Sequence, residues 1–208
     1  MTAYNKEEII HQLESHQLWI DTLGKEGNKL GFDEVDFCNI DIDLIKYPLD
    51  QAYLTACTFD GMNLYGKDMH SSLICSSTFI TTNLENADFY KADVSYVDFT
   101  NANVKNARYA KSDCSEAIFI KADLTNAKLI SCSLYLTDFR EATLKNVDVS
   151  SSSFKGVLLK GAKLSGIKGL EDAFIKSINI GTPEIPILIE GEEAVQWIIN
   201  NCSTDEQI

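Results

Sequence analysis

The sequence predicts an all-β solenoid built of four-sided coils, and three observations carry that expectation. Stepping by five from Leu44 to Leu164 meets 25 positions, and every one is apolar or, at Tyr109 and Cys114, close to it. At 45% hydrophobic content, chance would give such a run roughly once in 10⁸–10⁹ trials. Two residues before each of these positions stands a second series. From Thr82 to Ala162 its 17 members are all Ala, Ser, Thr, Cys or Val. A large and a small inward residue two apart is the alternation of a strand. Finally, a step of twenty from Phe59 lands on Phe79, Phe99, Phe119 and Phe139 before Leu159.

Each element follows from these periods. A five-residue unit with two inward residues cannot bury itself, but it can form one side of a coil whose neighbours cover it. The phenylalanine column at spacing twenty then predicts four sides per turn. The other columns agree: Leu64, Leu84, Val104, Leu124, Leu144; Met69, Phe89, Tyr109, Leu129, Val149; and Ile74, Val94, Cys114, Leu134, Phe154. The period slips once, because Phe37 precedes Phe59 by 22 residues. Two extra residues are therefore placed within Asp43–Pro48, as a bulge on the first full coil. Lys67 falls on an inward slot, and a local bulge that lets its amine reach solvent is expected there.

The units "ADFYK", "ANVKN", "ADLTN" and "AKLIS" resemble those of the pentapeptide repeat proteins, which follow a small–Asp/Asn–Leu/Phe–x–x pattern. The resemblance covers residues 30–168 and implies a right-handed quadrilateral β-helix of about seven coils. At the usual inter-strand spacing such a stack is roughly 33 Å long.

The ends of a coil stack need covers. In residues 1–29, Asn5 is a candidate N-cap, Glu7 and Glu8 stand in the first turn, and Gly24 stands where a helix would stop. Ile9, Leu13, Ile20 and Leu23 are expected on its buried face. His11 and His16, five apart, share no face, so no metal site is expected. Residues 169–208 form a C-terminal capping or dimerisation segment: "LEDAFIKSI" reads as a short helix, "PEIPILIEG" as extended and "EEAVQWIINNC" as a helix burying Val195, Trp197 and Ile198.

The formal net charge of −13 is confined to the ends, with −7 over residues 1–43, zero over 44–166 and −6 over 167–208. No apolar run reaches the length of a membrane span, and the first residues lack a signal peptide's basic start and apolar core. Cys38, Cys57, Cys75, Cys114, Cys132 and Cys202 show no CxxC spacing. They read as reduced packing residues of a cytoplasmic protein.

No catalytic, cofactor-binding or metal-ligating residue is expected, because there is no P-loop, GxGxxG or zinc spacing. Asp68, His70 and Ser71 come nearest to a nucleophilic set, yet sequence neighbours on a tight corner rarely adopt that geometry. The Asp and Asn residues before each large position read as turn-supporting ladders. Ile80, Tyr96, Ile118, Ile120, Leu136 and Leu158, with Tyr135 on the edge, fall on outward slots of one side and form the candidate partner surface. Either a partner or the chain's own C-terminal segment would cover it.

The reading is a non-enzymatic interaction module with an unidentified protein partner or a second copy as homodimer. No small-molecule substrate, direct nucleic-acid contact or membrane contact is expected. The resemblance implies one alternative, a DNA-mimicking regulator of a bacterial type II topoisomerase similar to the quinolone-resistance proteins. A duplex mimic wants acids along the rod, whereas this rod sums to zero.

Overall fold

The computed structural model describes residues 4–202. From Thr58 to Lys168 the backbone meets itself in parallel register every twenty residues, as in Asn63↔Asn83↔Asn103↔Asp123 and Asp88↔Arg108↔Lys128↔Asp148. Leu84 N–H donates to the Asn103 carbonyl at 2.7 Å, and Asn103 N–H to the Thr82 carbonyl at 3.0 Å. The chain is thus a stack of twenty-residue coils in which each residue's partner lies one coil away.

The corners explain the five-residue period. The carbonyl of most large inward residues accepts from the N–H three residues on, as Leu84 does from Ala87 at 3.0 Å. The residue before that donor has positive φ, as at Asn86 (62°), Asn106 (57°) and Asn126 (60°). That is the third position of a β-turn, where a type II turn demands the left-handed region and Asn tolerates it well. The Asp or Asn before the large residue then accepts from the N–H two residues on, at 2.9 Å for Asp88–Tyr90 and 2.8 Å for Asp98–Thr100. This local bond accounts for the acid in the repeat.

Inside, the phenylalanine column stacks from Phe37 through Phe139, with ring centroids 4.7–5.4 Å apart and planes within 20°. Phe89 and Tyr109 stack at 4.8 Å and meet Phe99 edge-on. Tyr109 is fully buried, and burial pushes its phenol well above the usual range. Cys57, Cys114 and Cys132 are buried, whereas Cys38 is exposed and so is not a packing residue.

The bulge and the inward lysine are one feature. A 3-10 turn at Leu44–Lys46 holds the two extra residues. Lys67 Nζ donates to the Leu44 carbonyl at 2.7 Å and to the Tyr47 carbonyl. Lys67 does not reach solvent as expected, since it is only 6% exposed. Widening the coil by two residues made an interior socket, which the amine fills. Burial lowers its pKa to about 8, while Asp50, Asp68 and Asp43 pull it back up.

At the N-terminal end, α1 (Lys6–Asp21) begins with a capping box between Asn5 and Glu8. Ile9 and Leu13 join the core, but Leu23 is 90% exposed and so leaves the expected face. His16 takes the inner place instead, accepting from Leu30 N–H at 3.1 Å and meeting the Asp50 carbonyl at 3.0 Å. Nδ1 is therefore the acceptor and Nε2 carries the proton, and burial lowers the pKa of the ring.

Short strands mark the two ends of the stack. β1 (Gly31–Asp33) pairs in parallel with β2 (Tyr53–Thr55) at an offset of 22 residues, as the inserted turn requires. At the other end, β3 (Ser133–Tyr135), β4 (Ser153–Leu158), β5 (Phe174–Asn179) and β6 (Leu188–Glu190) form a four-stranded sheet in that order. "LEDAFIKSI", expected as a helix, is a 3-10 turn at Leu170–Asp172 followed by β5. The open ladder edge of β4 recruits this segment in parallel register, burying Ser177, Ile178 and Asn179. β6 turns back antiparallel, and α2 (Gly191–Cys202) follows, burying Ala194 and Ile198. Ile198 meets Leu144, Leu164, Ile167 and Leu170 around a void of about 10 Å³, at the lower limit for one water. The core at this end is filled.

Candidate interaction site

The expected apolar surface divides in two. Ile80 and Ile120 stand one place after Phe79 and Phe119, so Thr100 separates them in their column, and both are only half-buried. Tyr96 is 56% exposed at a corner, and its hydroxyl donates to Glu116 Oε1 at 3.1 Å. That bond raises the phenol's pKa and keeps it neutral. Tyr135 carries the Lys155 ammonium 4.7 Å from its ring centroid. These four residues are scattered among polar neighbours.

Ile118, Leu136 and Leu158 are brought together. Ile118 and Leu158 share a ladder column with Asp138 between them. Leu136 leans over Gly156, where an added Cβ would lie 2.7 Å from its Cδ2. Gly156 also takes φ of 70°, so that corner requires glycine on both counts. Leu158, expected on an outward slot, is only 6% exposed. β5 accounts for this, because its Asn179 pairs with Leu158, and the turn between β5 and β6 follows directly after it.

Between that turn and the coil face lies a cleft of about 390 Å³. One wall is Ile118, Leu136 and Leu158, and the other is Pro183, Pro186 and Leu188. Asn179 holds the second wall in place, its Oδ1 accepting from Gly181 N–H and Ile187 N–H, each at 2.9 Å. Glu116 and Asp138 supply the polar lining. The Arg140 guanidinium pairs with Asp138 through contacts of 2.6 and 2.9 Å, while Glu116 accepts from the Tyr96 hydroxyl. Sequence reasoning missed Asn179, Pro183, Pro186 and Leu188. Their only signal is the "GTPEIP" stretch between two apolar runs.

Other candidate chemistry does not converge. His70 Nδ1 does meet Asp68 Oδ1, at 2.9 Å. Ser71 sits on the next left-handed corner, with φ of 54°, and forms no side-chain hydrogen bond among the described residues. Among those residues, no group of three or more His, Cys, Asp or Glu side chains gathers as a metal site would. No described helix is long and apolar enough to cross a membrane.

The family model for pentapeptide repeats matches residues 75–106 and 98–134, in eight copies. The chain carries pentapeptide repeats. Solved structures with pentapeptide repeats resemble it at low identity. A protein from the Arabidopsis thaliana thylakoid lumen is 20% identical with a TM-score of 0.44, covering 57% of this chain and 69% of its own. One from the cyanobacterium Cyanothece is 20% identical with a TM-score of 0.35, covering 59% and 90%. QnrB1, a plasmid-mediated fluoroquinolone resistance protein, is 15% identical with a TM-score of 0.39, covering 70% and 79%. No curated protein matches the chain.

Proposed function

We propose that the chain is a non-enzymatic, cytoplasmic protein–protein interaction module. In this reading the repeats form a right-handed quadrilateral β-helix of about seven coils, closed at one end by α1 and at the other by the segment from β5 to α2. The observation that carries the reading is the cleft of about 390 Å³ between coil face and C-terminal turn. Its two walls are apolar and its outer wall remains open, with Leu188 59% and Ile187 53% exposed. Apolar surface of that kind marks a contact, and rigid coils hold it without ordering cost on binding. A protein segment is the occupant, supplied by another protein or by a second copy. A duplex-mimicking role has less support, because the coils carrying the cleft hold more bases than acids.

The test is the double substitution Ile118→Lys with Leu136→Lys. It should abolish self-association in sedimentation, or capture of the partner, while circular dichroism stays β-rich and the thermal midpoint holds. Unchanged association would remove the cleft from the function. Unfolding of the double variant would make these residues structural.

A further inference from the structure

The later coils carry a charge of opposite sign to the whole chain. Residues 100–168 hold eleven bases and six acids, giving +5 within a protein of net −13. Part of that excess gathers at one corner. Lys128 and Lys168 flank Asp148 in a single ladder column, and Lys163 stands beside Thr143 in the column before the corner. Lys145 follows Leu144 on the same side, so four exposed lysines share these columns with two acids, Asp148 and Asp123, of which Asp123 is paired with Lys105. None of the four belongs to an ion pair among the described residues. Asp148 offsets only part of this charge, and its Oδ1 accepts from Ser150 N–H at 3.0 Å and from Ser150 Oγ at 2.5 Å.

The corner between these lysines carries donors of its own. Asn146 Nδ2 donates to Asn126 Oδ1, and Asn126 Nδ2 to Asn106 Oδ1, each at 3.2 Å. Each of these amides has a second N–H left over. The next residue in the column is Gly166, with φ of 68°, and a side chain there would collide with Asn146. The space that a side chain would take at Gly166 is filled by the Asn146 amide oxygen, between Lys163 and Lys168 in sequence.

We propose that this corner binds an acidic, extended peptide segment of a partner protein, on a surface separate from the cleft. Carboxylates spaced along such a segment would meet ammonium groups on successive coils and amide donors between them. The patch covers three coils, only about 10 Å along the stack at inter-strand spacing. Acidic regions bound it on both sides, with −11 over residues 4–99 and −5 over 169–202. A nucleic-acid duplex needs a longer continuous basic surface and would be repelled at both ends. A short acidic peptide fits the length available.

The probe is a short fluorescein-labelled oligoglutamate, followed by fluorescence anisotropy at low salt. The intact chain should bind it, with affinity falling as salt rises. Reversing the patch with Lys128→Glu, Lys145→Glu, Lys163→Glu and Lys168→Glu should weaken binding by at least about tenfold. A control with the same net charge change, Lys25→Glu, Lys91→Glu, Lys155→Glu and Lys176→Glu, should weaken it far less. If charge reversal unfolds the chain, the four Lys→Gln changes at the patch replace it with the same expectation. Absence of binding, equal loss in patch and control variants, or tighter binding of duplex DNA than of oligoglutamate would each overturn the proposal.

Discussion

The coils from Cys75 to Leu134 and the first coil around Lys67 solve the same packing problem in different ways. In the regular coils every ladder pair is twenty residues apart, and the interior is filled by columns of like side chains. An Asp or Asn at each corner satisfies a neighbour's N–H, the buried hydroxyls of Ser77 and Thr82 donate to backbone carbonyls, and the Tyr109 hydroxyl is left without a partner among the described residues. Around Lys67 the repeat slips once, an ammonium group lies buried within the coil, and an imidazole from α1 is buried against it. Each is held by individually placed backbone groups: the Leu44 and Tyr47 carbonyls for Lys67, Leu30 N–H and the Asp50 carbonyl for His16. The repeat thus tolerates error where identical neighbours share the load, and the irregular coil depends on single contacts.

The largest test of that contrast strikes the regular stack. Phe99 is stacked on Phe79 at 5.4 Å and on Phe119 at 4.7 Å, with no solvent exposure. Phe99→Ala should cost about 3–5 kcal/mol in chemical denaturation, since the coils above and below cannot collapse into the gap. A loss under about 1 kcal/mol would mean that the column is not packed as described.

A smaller effect should come from the irregular coil. Folding lowers the Lys67 pKa from 10.5 to about 8. Between those values the unfolded chain binds more protons than the folded one, so stability rises with pH across the window. Below pH 8 the amine is charged in both states and the full cost of burying it is present. Measured against Lys67→Met, the native chain should gain on the order of 1 kcal/mol from pH 8 to pH 9. Comparing the two proteins cancels cysteine and tyrosine titration. A difference that stays flat over that interval would place the amine in solvent.

The smallest effect belongs to the corners. Asn126 gives one exposed ladder bond at 3.2 Å and accepts another, and its φ is 60°. Asn126→Gly keeps the left-handed freedom while losing the ladder, and should change stability by no more than about 0.5 kcal/mol. Asn126→Ala should cost more, roughly 1–2 kcal/mol, because alanine is strained in that region. If the two variants are equal, the ladder matters and the backbone conformation does not.

Much of the fold was legible because its periods are local arithmetic. The inward residues, the step of twenty, the slip between Phe37 and Phe59 and the capped helix from Lys6 can all be read from spacing. The left-handed corners were not read: a five-residue period says that the chain turns, but not which residue bears the positive φ. Of the expected contact residues, Ile118, Leu136 and Leu158 meet at the cleft, whereas Ile80, Tyr96, Ile120 and Tyr135 lie elsewhere on the surface. Their separation depends on which residues stack between them, such as Thr100 between the two isoleucines.

By itself, then, the sequence determined what repetition can encode: which side chains face inward, how many residues make a coil, and where the register slips by two. Tertiary structure decided whatever rests on a partner outside the period. It joined the Asp43–Pro48 bulge to Lys67, turned "AFIKSI" from an expected helix into a strand on the open edge of β4, and set Pro183 and Pro186 across from Leu136. Hydrophobic period fixes orientation relative to a core. A buried amine, an open ladder edge and a cleft wall are fixed by which distant backbone groups remain unsatisfied once that core has formed.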